Sequence, residues 1–140
     1  MSADAQLREV VRRRAGERCE YCQLPEGYSE LRFQLDHVIP EQHGGATKPA
    51  NLAWCCPRCN RHKGPNLAGL DPETGALSPL FHPREDAWPA HFQWQQAMLA
   101  GRTPKGRATV RVLHMNHPDA VLVREALRAE GVEFAHADSR

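Results

Sequence analysis

Apolar residues recur along this chain with changing period, and the changes mark out its elements. Leu7, Val10 and Val11 fall at helical spacing behind Asp4, a candidate N-cap, and Gly16 supplies a stop. Arg8, Arg12, Arg13, Arg14 and Arg18 make this predicted helix basic, a composition that usually marks a solvated face. Leu31, Phe33 and Leu35 then alternate with polar residues and lead into Val38-Ile39, which predicts a strand ending at Pro40. His43-Gly44-Gly45 and Lys48-Pro49 read as a loop, and Asn51-Leu52-Ala53-Trp54-Cys55 as a second short strand. Pro57 opens a short helix carrying Asn60 and Lys63, and Gly64-Pro65 ends it. The order is strand, loop, strand, helix.

The second half is less regular. Leu70-Asp71-Pro72-Glu73-Thr74-Gly75-Ala76 is a turn signal. Leu80-Phe81-His82-Pro83 and Trp88 to Trp94 are apolar but broken by prolines. The pattern from Phe92 to Ala100 fits a helix and a hairpin alike. Thr103-Pro104 resembles an N-cap with Pro at the first helical position, while Thr109, Val110 and Val112 also fit a strand. Pro118-Asp119 followed by Ala120, Val123 and Leu127 predicts a helix ended by Gly131, and Ala135 to Arg140 should fray. Trp88, His91, Phe92 and Trp94 read as a small core packing the second half onto the first, rather than as base-stacking residues.

Composition narrows the class. At 140 residues the chain is one domain, or a compact core with an appendage, and its 11 prolines imply irregular connections. The N-terminus is polar and no long apolar run follows, so neither a signal peptide nor a membrane span is expected. Five cysteines in such a chain point to a reducing compartment, the cytoplasm, and to metal ligation rather than disulfides. The net charge of +1 hides an uneven distribution. No acid occurs between Glu41 and Asp71, where Lys48, Arg58, Arg61 and Lys63 fall. None occurs between Asp86 and Asp119 either, where Arg102, Lys105, Arg107 and Arg111 cluster. These windows are where a polyanion could lie, although short windows also lose acids by chance.

Two C-x2-C pairs, Cys19/Cys22 and Cys56/Cys59, offer soft ligands at the spacing of a tetrahedral zinc site. On a strand, Cys55 and Cys56 point to opposite faces, and only Cys56 keeps the spacing with Cys59. Cys55 is therefore expected in the core. Between the pairs lie Asp36-His37 and Asn51, and Asn60 follows the last cysteine. A carboxylate, an imidazole and two amides suit a hard cation and a general base. An isolated Asp-His dipeptide would mean little; its setting among Pro40, Gly44-Gly45, Asn51-Leu52 and Cys59-Asn60 gives it weight.

The stretch from Cys19 to Lys63 resembles the HNH endonucleases of the ββα-metal superfamily, on its C-x2-C, D-H-x2-P, G-G, N-L, C-x2-C-N and K-G motifs. Leu80 to Arg84, Trp88, His91-Phe92 and Gly106 to Val110 are similar to segments of compact bacterial HNH proteins. The resemblance implies a role for each matching residue. His37 is the general base, Asp36 the first ligand of a catalytic cation and Asn60 the second, where other members carry a final His. Asn51 orders the loop and helps to orient the imidazole, and the four cysteines hold a structural zinc. Asp and Asn oxygens favour Mg2+ or Mn2+ as the catalytic ion. Because neighbouring strand positions point apart, a twist or break near Val38 is needed to bring Asp36 and His37 to one cleft.

The expected fold is α+β, a ββα-metal core with zinc knuckles over residues 1–70. Residues 71–140 form a mixed helical and strand extension that offers a nucleic-acid contact surface. The expected function is metal-dependent phosphodiester hydrolysis in nucleic acid, DNA before RNA, with Lys63, Arg61, His43, Arg107 and Arg111 as contacts to it. The competing reading is a zinc-knuckle nucleic-acid-binding module without catalysis, which would need none of Asp36, His37 and Asn60.

Overall fold

The computed structural model describes residues 3–136. The chain begins with helix α1 (Ala3–Arg14), in which Asp4 lies in the first turn. Gly16, at φ 67°, turns the chain away from it. Val11 is the fully buried residue of this helix, and Val10 is half exposed. The arginines of α1 are not a bare solvated face. Arg8 Nη2 donates to the Phe33 carbonyl at 3.0 Å and its guanidinium lies over the Trp54 ring. Arg14 Nη2 donates to the Leu52 carbonyl at 2.6 Å, and Arg12 pairs with Glu17 and Glu26. The basic run therefore ties α1 to the strands behind it.

Strand β1 (Gln34–His37) pairs antiparallel with β2 (Leu52–Cys55), with Asp36 opposite Ala53 and His37 opposite Leu52. The sequence predicted a strand from Leu31; the observed strand is shorter and Leu31 is exposed. Its partner sets the limit. A 3-10 turn at Pro49–Asn51 delivers the chain into β2, and Cys56 already caps the next helix, so only four residues are available to pair. All four residues of β2 are buried. Helix α2 (Pro57–Lys63) follows with Pro57 in its first turn and Gly64 at its C-cap, completing a ββα unit.

The second half adds two further two-stranded antiparallel sheets. Strands β3 (Ala68–Leu70) and β4 (Leu77–Pro79) are joined by the predicted turn, in which Gly75 adopts φ 74° and Asp71 accepts from Glu73 N and Thr74 Oγ1. After the short helix α3 (Trp88–His91), the ambiguous stretch resolves as a hairpin of β5 (Phe92–Gln95) and β6 (Met98–Gly101). Helix α4 (Pro104–Val112) starts from Thr103, whose Oγ1 accepts from Gly106 N at 3.0 Å. Gly106 must be glycine, because a Cβ there would lie 1.9 Å from the His91 carbonyl oxygen. Helix α5 (Pro118–Ala129) ends just before Gly131, at φ 86°. Of the segment expected to fray, residues 137–140 lie outside the described residues.

The two halves share one core. Trp88 is buried and its Nε1 donates to the Tyr21 carbonyl at 2.8 Å; Phe81 packs edge-on against the Tyr21 ring. Trp88 and Phe92 thus serve packing, as expected of them. Arg84 pairs with Glu20, joining the extension to the first cysteine knuckle. Among the described residues no helix is long and apolar enough to cross a membrane.

Candidate metal centre and nuclease site

The Sγ atoms of Cys19, Cys22, Cys56 and Cys59 all lie within 4.8 Å of one another, and those of Cys22 and Cys56 are 3.7 Å apart. Zinc–sulfur bonds of about 2.3 Å at tetrahedral angles place sulfurs about 3.8 Å apart, so the cluster has the size zinc requires. Each knuckle is closed by a backbone donor: Cys22 N–H to Cys19 Sγ at 3.5 Å, and Cys59 N–H to Cys56 Sγ at 3.4 Å. The knuckles meet because Glu20 grips the end of β2. Its backbone N–H donates to the Trp54 carbonyl, and its carboxylate accepts from Trp54 N at 2.8 Å. Burial opposes ionisation of Cys19, but hydrogen bonds from Cys22, Cys55, Cys56 and Cys59 hold its thiol well below the usual value. Cys55 is buried in the core and stands outside the four-ligand cluster; burial pushes its thiol up.

The strand period then divides the neighbouring chemistry between two faces of β1. Asp36 shares its face with Gln34. It is 5% exposed, accepts from Tyr21 Oη at 2.6 Å on Oδ2, and meets Lys63 Nζ at 3.2 Å on Oδ1. Burial raises its carboxyl pKa, with Lys63 and Tyr21 acting against the rise. Asn60 projects from α2 and donates from Nδ2 to Gln34 Oε1 at 2.6 Å. Each Asp36 oxygen carries one hydrogen bond and retains a further acceptor position, and Asn60 keeps its amide oxygen. Free carboxylate and amide oxygens are the acceptors a hard divalent cation takes, and here the Lys63 ammonium stands beside them as the counter-ion already on Asp36. Gln34 was not foreseen as part of the site, although its position two residues before Asp36 puts it on the same strand face.

His37 turns the other way. Its Nε2 lies 2.9 Å from Thr47 Oγ1 and 3.8 Å from Glu41 Oε1, and its side chain is 24% exposed. Thr47 belongs to the loop that Asn51 pegs in place. Asn51 Oδ1 accepts from Ile39 N, while Nδ2 donates to the carbonyls of Ile39 and Ala46, each at 2.9 Å. Gly45 makes this fold possible, since a Cβ there would fall 1.6 Å from the Ile39 carbonyl oxygen. The twist expected to unite Asp36 and His37 does not give their side chains a common bonding partner among the described residues. Their link is Lys63, which donates to Asp36 Oδ1, to the His37 carbonyl at 3.1 Å and to the Val38 carbonyl at 3.0 Å.

The basic residues sort into two groups. Lys63, expected to contact phosphate, is instead 1% exposed with all three N–H donors engaged. Its position three residues after Asn60 turns it towards β1, where a buried carboxylate needs a counter-ion. Arg107, also expected on nucleic acid, forms a fork on Asp71 at 2.8 and 2.9 Å and meets Glu73 at 2.9 Å. Its guanidinium holds the Asp71 carboxyl well below the usual carboxylate range. Lys105 is likewise held by Asp86. Asp86, at the border of the second acid-free window, and Asp71, at the border of the first, thus each hold one of the second window's basic residues. Arg61, His43 and Arg111 remain exposed, His43 with Nε2 3.2 Å from the Pro65 carbonyl oxygen. His62, on the outer side of α2, packs against His114 with ring centroids 4.3 Å apart.

Comparison with known proteins bears on this centre. The family model described as HNH endonuclease matches residues 19–66, a span that contains both knuckles, β1, β2 and α2. The chain is also similar to the Septu protein PtuB of Bacillus thuringiensis, 27% identical over 111 residues. That alignment covers 75% of this chain and 39% of the relative, so the chain spans well under half of the protein it matches. No solved structure matches.

Proposed function

We propose that this chain, whose residues 19–66 form an HNH endonuclease domain, is a metal-dependent endonuclease that hydrolyses phosphodiester bonds in nucleic acid, with DNA as substrate. The observation that carries the reading is the family match over residues 19–66, the span that holds β1, β2 and α2. A part-exposed imidazole is held by a loop hydroxyl at one face of the strand end, and a carboxylate and an amide lie on the other. In the tautomer whose Nε2–H donates to Thr47 Oγ1, the His37 lone pair is on Nδ1, and that nitrogen accepts the proton of the attacking water. Asp36 and Asn60 hold the divalent cation, Mg2+ or Mn2+. A cation held there would supply charge neutralisation for the phosphate and the departing oxygen. Asn51 acts through the loop, fixing the segment from which Thr47 orients the imidazole.

Arg61, His43 and Arg111 are the exposed residues in this reading that meet the substrate backbone. Residues 1–70 carry the nuclease core, residues 71–140 support it and supply Arg111, and the protein works in the cytoplasm, where its thiols stay reduced.

Substituting Asn60→His tests the assignment against a plain binding module. The variant should keep its fold and its zinc, and its cleavage should shift from Mg2+ towards Mn2+, Co2+ or Ni2+, because imidazole prefers the softer ions. Affinity for nucleic acid without divalent cation should stay as in the wild type, since it rests on basic side chains and falls with salt. Identical cation profiles for the two proteins would remove Asn60 from the site. A binding module would cleave with neither.

A further inference from the structure

Tyr21 lies inside the first cysteine knuckle, yet its hydroxyl reaches the opposite side of β1 from the loop and bonds Asp36 Oδ2 at 2.6 Å. The ring is fully buried, packed edge-on against Phe81, and its main-chain carbonyl accepts from Trp88 Nε1. Both chain neighbours are fixed as well: Glu20 is locked to Trp54, and Cys22 is a ligand of the four-sulfur cluster. A phenol held at so many points has almost no freedom to place its hydroxyl elsewhere. Asp36, in contrast, has a short side chain whose carboxylate plane rotates broadly about χ2. Two donors on two different oxygens, Tyr21 and Lys63, stop that rotation and leave one defined acceptor direction on each oxygen.

We infer that Tyr21 is a positioning residue for the divalent-cation site, aiming the Asp36 carboxylate from the zinc knuckle and so coupling the structural metal centre to the catalytic one. This rests on the reading of Asp36 as a cation ligand. Hydrogen-bond donors to a ligating carboxylate set its orientation, and their removal typically weakens metal binding about 10–100-fold. Tyr21 is well placed for such a role because removing only its hydroxyl leaves the knuckle, the Phe81 contact and the Trp88 bond to its carbonyl in place.

The test is Mn2+ binding to zinc-loaded protein, followed by electron paramagnetic resonance without substrate, for wild type, Tyr21→Phe and Asp36→Asn. Tyr21→Phe should retain zinc and the wild-type circular dichroism spectrum and bind Mn2+ about 10–100-fold more weakly. Asp36→Asn should weaken binding at least as much. Wild-type Mn2+ affinity in Tyr21→Phe, with Asp36→Asn impaired, overturns the positioning role alone. Wild-type affinity in Asp36→Asn overturns the reading of Asp36 as a ligand and the inference with it. Should Tyr21→Phe fail to fold, the hydroxyl proton of Tyr21 in wild type provides the measure. Its resonance should shift as Mg2+ saturates the site, and an unmoved resonance at saturation overturns the proposal.

Discussion

His37→Ala should lower cleavage of nucleic acid by roughly 10²–10⁴-fold, the usual contribution of a positioned general base, while the protein keeps its zinc and its melting temperature. The expectation of an intact fold is structural. The imidazole meets only Thr47 and Glu41 by polar contacts among the described residues, both in the exposed loop, and it is not part of the buried apolar cluster. The strand itself is held by backbone pairing of His37 with Leu52, which does not involve the ring. Single-turnover rates with saturating Mg2+, set beside zinc content and thermal unfolding, check the point. A variant that loses zinc or unfolds would make His37 a structural residue instead.

Cys59→Ser should abolish zinc binding and with it the folded state of the core. A buried four-sulfur site stripped of its metal leaves closely spaced polar sulfurs with little compensation, and in sites of this kind metal-binding free energy is folding free energy. That free energy is on the order of 10 kcal/mol, as large as the whole stability of a typical small domain. Cys59 also sits on α2 between the cap at Cys56 and the residues Asn60 and Lys63, so loss of the site releases the helix that carries them. Cys55→Ser, one residue from the cluster but outside it, should keep about one zinc per chain. Elemental analysis and thermal unfolding of the two variants separate the cases. Zinc lost from Cys55→Ser and retained in Cys59→Ser would reverse the assignment.

The four-cysteine cluster and the ββα order were legible because their signals are local. Two C-x2-C pairs, a proline at the start of α2 and a glycine after it each encode a conformation within a few residues. The hairpin at Phe92–Gly101 was not, because its register depends on distant groups. Asn116 bonds both the N–H and the carbonyl of Leu99, and Arg124 donates to the Ala97 carbonyl. Helix α4 was equally ambiguous around Thr109. There the hydroxyl donates to the Lys105 carbonyl one turn back and accepts from Phe81 N, which suits a β-branched residue to a buried helix. Charge was the poorest guide. Lys63 finds Asp36 across 27 residues and Arg107 finds Asp71 across 36, so counting basic residues in a window could not separate counter-ions from contacts. Tyr21 was hidden for the same reason, since nothing in Cys-Glu-Tyr-Cys says which strand its hydroxyl will meet.

The most direct test of the account is a plasmid-cleavage assay on zinc-loaded protein purified beside the His37→Ala variant, with Mg2+ or Mn2+ added and then withheld. The account predicts nicking or cutting by the wild type only with the added cation, and a loss of roughly 10²–10⁴-fold in the variant. Equal cleavage by both proteins, or full wild-type activity in a chelator that leaves the zinc in place, would contradict it.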